Sequence, residues 1–265
     1  MSIAYPSQRQ TVTPLAAILG VAIAFWPVWG WYWSRITDGT DEPWGVLALL
    51  TMIVLLWRQP IPAPAPWQMK GVCVIMTGYL VTFHAAFPLF RAAMAMSAMA
   101  LVLARMQSPL ALWTLLLLSL PVVPSLQFFL GYPLRLLVAD TSAGLLHLCG
   151  IAVFQEGTAL RWAGETVLVD APCSGLKMVW AGLYFAATLA LWHRLRSVSA
   201  LLLFLGSGVV ILGANIIRST LLFFKEAHVV AAPDWTHAGT GLVVFAAAAL
   251  TIQRMCCFLK AREFV

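Results

Sequence analysis

The stretch ALLLFLGSGVVILGANIIRSTLLFF, residues 200–224, decides the class of fold. A helix needs about 20 predominantly apolar residues to cross a hydrocarbon core, and this run exceeds that length. It also carries Asn215 and Arg218, three residues apart and so on one helix face. An ionisable side chain inside a membrane helix is expensive and marks a candidate functional site. The bland alternative is an arginine that snorkels to lipid phosphate.

The rest of the chain reads the same way. Of 265 residues, 62% are hydrophobic and 10% charged, against a soluble norm of roughly half and a quarter. Mean hydropathy is +0.89, so lipid is the solvent for most of the chain. The 12 Trp and 15 Pro fit, because Trp anchors helices at headgroup level and Pro is tolerated in membrane helices. The net charge of +6 resides in short loops between apolar runs, which points to topology and anionic headgroups rather than to nucleic acid. Residues 1–14 are polar and the following apolar run is long enough to span, so no cleavable signal peptide is expected.

The pattern predicts an all-α polytopic membrane protein, a single membrane domain over 1–265 with about eight transmembrane helices. Spans are expected at 15–33, 44–57, 71–90, 92–104 and 109–123, with Arg91 at a junction and a stiff Pro-rich linker over 58–70. These form the amino-terminal part, 1–125. The segment 126–172 is expected to be interfacial and extracytoplasmic. Its first portion, 126–153, is apolar but interrupted by Arg135, Asp140 and His147, and reads as an interfacial or re-entrant helix. Its second, 154–170, has turn signals at Glu156-Gly157 and Ala163-Gly164-Glu165 and reads as a small β-hairpin outside the membrane. Three spans follow over 173–258, at 175–192, 200–224 and from His237 to about 258, with a polar loop at 225–235 and a cytoplasmic tail at 259–265. Basic loops at 58–70, 193–196 and the carboxyl terminus belong in the cytoplasm, and the acidic loop at 38–42 outside. That count closes with eight spans if 126–153 does not cross.

Three residues carry chemistry. Cys173 follows Asp170-Ala-Pro and precedes Ser174-Gly175 and a helix, and a helix amino terminus favours a nucleophilic thiolate and offers N–H donors to an oxyanion. Arg218 lies within its span. His237 opens the last span, and an imidazole titrates in the range that suits proton transfer. All three fall at the outer ends of their spans. Together they make an acyl-transfer set, with Ser174, Gly175, Asn215 and Lys177 as supporting residues. Cys73, Cys149, Cys256 and Cys257 read as spectators, His84 and His193 as structural, and His147 and His228 as bystanders. No cysteine spacing resembles a metal site, and neither metal nor cofactor is expected.

The strings VDAPCSGLK (169–177), NIIR (215–218) and HAGTG (237–241), in this order, resemble the exosortase/archaeosortase family over about 126–258. The resemblance implies a multi-span cysteine protease or transpeptidase of the cytoplasmic (inner) membrane with its site on the extracytoplasmic side. It implies Cys173 as nucleophile, His237 as proton-transfer partner and Arg218 as third catalytic residue. It further implies partner proteins with a C-terminal sorting signal: a short motif such as Pro-Glu-Pro, a transmembrane helix and a basic tail. The sequence departs from many members at Pro172 and at Lys177, where Arg is usual. A competing class is a transporter or scaffold whose Asn215 and Arg218 line a polar path. It leaves Cys173 without a role and would more readily show repeated halves.

Overall fold

The computed structural model describes residues 13–37, 44–57, 60–106, 108–233 and 235–263, with backbone alone at 171 and 172. The expected acidic loop at 38–42, Arg58 in the Pro-rich linker, Asp234 and the polar amino terminus through residue 12 lie outside them.

Ten helices and a small sheet make up the described fold: α1 (Pro14–Ala24), α2 (Trp26–Thr37), α3 (Trp44–Trp57), α4 (Pro66–Thr82), α5 (Pro88–Val102), α6 (Pro109–Leu118), α7 (Val123–Leu148), β1 (Phe154–Glu156), β2 (Ala159–Trp162), β3 (Glu165–Leu168), α8 (Leu176–Trp192), α9 (Ser197–Glu226) and α10 (Trp235–Arg262). Proline sets many of the boundaries. It has no N–H to give, so it is tolerated in a helix's first turn and disruptive later. Pro14, Pro66, Pro88 and Pro109 each open a helix.

The same rule corrects several expected spans. The first breaks at Phe25, where Pro27 interrupts the amide ladder, and α1 and α2 meet at 69°. The junction expected at Arg91 lies instead in the turn before Pro88. Arg91 sits inside α5 with its guanidinium 4.8 Å from the centre of the Phe83 ring. Among the described residues only α9 and α10 are each long and apolar enough to cross alone, and up to four crossings result if each bent pair counts as one. Helices α3, α5 and α8 are apolar but shorter, so a count of eight full-length spans does not follow from length.

The exposed residues show where lipid lies. On α10, Ala248, Ile252 and Cys256 are buried, while Leu242, Val243 and Leu250 face outward. An apolar outer surface suits a hydrocarbon solvent rather than water. At about 1.5 Å per residue, the 30 residues of α9 extend about 45 Å, longer than a hydrocarbon core of about 30 Å.

Helix α7 turns 91° from the line of α6, the geometry of a broken span or of a re-entrant turn rather than of one straight crossing. Its buried residues Val138, Ala139, Ser142, Ala143 and Leu146 recur at helical spacing and pack over the carboxyl half of α9. With the sheet they enclose a second, smaller core of Val153, Leu160, Val169, Phe223 and Ala227. The expected hairpin is a three-stranded antiparallel sheet in the order β1-β2-β3, because both turn signals reverse the chain. His147 holds the carbonyl of Val153 at 2.8 Å, which gives it a structural task.

At the opposite end of the bundle, Ser108 binds the carbonyls of Ala190 and Leu195, and Arg105 reaches Ala63. Here α10 runs through Arg262, further than the expected tail boundary at 259, and Lys260 donates to the carbonyl of Arg194. Glu263 accepts from the Arg196 amide at 2.6 Å and from Lys260 at 3.0 Å. Burial alone raises this carboxyl, but hydrogen bonds from Ser199, Arg196 and Lys260 outweigh it and hold it below the ordinary glutamate range. A lowered carboxyl stabilises the fold above its unfolded value, and the contribution fades as pH falls through the folded value. Glu263→Gln is therefore expected to lower the melting temperature in detergent at pH 7. The gap to wild type closes as the pH falls below the usual Glu range; a gap that persists in acid would contradict this account.

Candidate active site

The segment before α8 does not start the helix directly. Residues 171–174 form a 3-10 turn, and Gly175 then takes a left-handed conformation (φ 79°) before α8 begins at Leu176. Cys173 thus stands just ahead of α8, as its place before the helix predicts, on a 3-10 turn that the sequence reading did not specify. Pro172 and Gly175 shape that turn: one fixes φ, the other supplies the positive φ that reverses the chain.

Four hydrogen bonds fix the turn. The Cys173 amide donates to the Asp170 carbonyl at 2.9 Å. Asn215, buried in α9, donates through Nδ2 to the Cys173 carbonyl at 3.0 Å. Ser174, also buried, donates to Gln127 Oε1 at 3.1 Å and accepts from the Leu176 amide. Gly175 is required sterically as well, because a Cβ there would stand 2.7 Å from Cγ of Asn215. Ser174, Gly175 and Asn215 therefore act on the turn that presents the thiol. Asn215→Ala frees that carbonyl, and a buried hydrogen bond is worth roughly 0.5–1.5 kcal/mol net. Processing is expected to slow about tenfold or somewhat less, measured as the processing rate of a co-expressed substrate. An unchanged rate would show that the turn holds without Asn215.

Two cavities meet at His237. The first, about 350 Å³, is lined by Cys173, Asp170, Ser219, Glu226 and His237, with residues 166–169 along one side. The second, about 400 Å³, is lined by Arg218, Lys177 and His237 with Trp44, Met178 and Phe245. The imidazole thus borders the thiol's cavity on one side and the guanidinium's on the other. Arg218 has room because residue 241 is glycine: a Cβ there would come within 3.1 Å of its Nε. Cys173, Arg218 and His237 are all half-buried, accessible yet held by packed helices. Lys177, in the first turn of α8, joins the second cavity rather than the thiol's.

Several site residues were missed by sequence reasoning. Ser219, Leu222 and Glu226 continue the face of α9 that carries Asn215, at spacings of three and four, so the period of α9 could have found them. Gln127 had no local signal, since it meets Ser174 across 47 residues of chain. Among the described residues, no three His, Cys, Asp or Glu side chains cluster as metal ligands.

Fold and site define a helical membrane protein with a thiol, an imidazole and a guanidinium converging at one end of its bundle. The chain belongs to the transmembrane exosortase family, whose model matches residues 16–253. No curated protein and no solved structure matches it.

Proposed function

We propose that the chain is a membrane cysteine protease or transpeptidase acting through an acyl-enzyme on Cys173. The observation that carries this reading is the position of His237 between the cavity of Cys173 and the cavity of Arg218. The Sγ thiolate adds to a substrate peptide carbonyl, and Arg218 offsets the charge that develops on its oxygen. The C–N bond then breaks, and His237 gives its proton to the departing amine. The thioester is resolved by water, giving an acid, or by an amine, giving a new amide; His237 takes the attacker's proton, and the thiolate returns. Both outcomes use the same intermediate.

The proposed partners are proteins with the tripartite C-terminal signal expected of the family. The site lies on the extracytoplasmic side of the cytoplasmic membrane. Support comes from α8, which leads from the site at Leu176 to the basic turn at Arg194 and Arg196, where Lys260 and Arg262 also gather. Short basic loops stay in the cytoplasm, which turns the thiol outward. A helix entering from the lipid would meet the second cavity with its flank near Cys173 and its basic tail at the opposite face.

Trapping tests the reading. Wild-type protein co-expressed with such a substrate is expected to accumulate a covalent adduct on Cys173 that neutral hydroxylamine releases, as a thioester requires. An adduct that resists hydroxylamine, or that maps to another cysteine, would overturn the mechanism. Thiol reactivity of Cys173 indistinguishable from that of lipid-facing Cys73 would favour a scaffold instead.

A further inference from the structure

The sheet ends on an unpaired edge. Strand order is β1-β2-β3, so no described residue pairs with the outer side of β3. Its amide directions follow from one bond: the Val169 amide donates to Thr158 on the β2 side at 2.9 Å. Antiparallel partners alternate, so Glu165, Val167 and Val169 turn their backbone groups toward β2 and the turn leading into it. Thr166 and Leu168 then turn theirs outward, and both residues are exposed.

That edge belongs to the cavity of Cys173. Five consecutive residues, Thr166 to Asp170, line it, together with Leu160 of β2. The inner face of the sheet supplies Leu160, Val167 and Val169, whereas Thr166 and Leu168, on the opposite side of the pleat, reach the cavity from the edge. At about 3.3 Å per residue the run extends about 16 Å and leads along the chain into the turn that bears Cys173.

We infer that an extended segment of the substrate, beside its scissile bond, adds to β3 as a fourth strand and so delivers the bond to Cys173. The inference rests on the protease reading above and names how that site takes its substrate. A helical occupant does not fit, because its N–H and C=O groups are already paired, whereas an extended juxtamembrane segment brings the unpaired groups this edge lacks. Recognition is then carried largely by backbone, with side chains contacting Thr166, Leu168 and the α9 wall at every second position.

The test uses full-length Cys173→Ala protein in lipid nanodiscs and a dye-labelled peptide of six uncharged residues, an apolar helix and an Arg-rich tail. Successive backbone amides of the six are replaced by esters. Pairing predicts binding weakened roughly 3- to 10-fold at alternate positions and little changed between them. Thr166→Pro and Leu168→Pro are expected to weaken it similarly, since proline on an edge removes the outward donor. Gln155→Pro, on the outer edge of β1, leaves it unchanged. A flat ester scan, an equal effect of Gln155→Pro, or no binding at all overturns the inference, because backbone pairing is indifferent to side chains. The ester scan stands even if a proline variant misfolds. Periodic binding without cleavage by the wild type would instead sink the protease reading and leave the pairing in place. Cleavage with a flat scan would do the reverse.

Discussion

Replacing Cys173 by Ala or by Ser is expected to abolish processing of a co-expressed tripartite substrate, while Cys73→Ala leaves it intact. All five cysteines are free thiols, so the contrast is one of position. Cys73 is exposed on α4 away from the site, whereas Cys173 shares a cavity with His237 and is held by Asn215 through its own carbonyl. Loss of a catalytic nucleophile removes the covalent route entirely, and comparable hydrolases fall by about 10⁶-fold. A drop of at least about 10³-fold is the threshold that separates this from a packing effect. Serine occupies the same place but remains a hydroxyl near neutral pH, so it rescues geometry without rescuing the nucleophile. Immunoblots for the processed form read the result directly. Processing that survives in Cys173→Ala would end the cysteine mechanism, whatever the family.

How much of this was legible depended on whether the signal was local. Both ends of α3 coincide with Trp44 and Trp57, because headgroup anchoring is written into residue type. The shared face of Asn215 and Arg218 was legible for a similar reason, since helical spacing is fixed. The break before α5 was missed although Pro88 announced it; the charge of Arg91 drew the boundary past the proline. The third strand was missed because β1 is three exposed residues with no alternation to read. Interactions that span long stretches of chain left no trace at all. Gln127 and Ser174 meet through a 91° turn that places α7 against the 3-10 turn, and no periodicity encodes such a meeting. The placement of His237 between two cavities is likewise a product of how α8, α9 and α10 pack.

The second large effect is expected at Gly175, through conformation rather than chemistry. Gly175→Ala must hold an L-residue at φ 79°, which costs about 1–2 kcal/mol, and must place a Cβ 2.7 Å from Cγ of Asn215. Asn215 is buried and cannot swing away without releasing the Cys173 carbonyl. Either the turn moves or the anchor does, and in both cases the thiol leaves its place beside His237. A displacement of about 1 Å at reacting atoms can cost 10²-fold, so processing is expected to fall by at least about that factor. Gly213→Ala is the matched control, since a Cβ there meets nothing within 4 Å and the residue is helical; its rate stays near wild type. The pair Gly175→Ala with Asn215→Ala separates the two causes. If the clash dominates, removing the Asn215 side chain relieves it, and the double variant is faster than the product of the single effects requires. Strict additivity would assign the whole loss to the backbone at Gly175 and would dissociate that glycine from the Asn215 anchor.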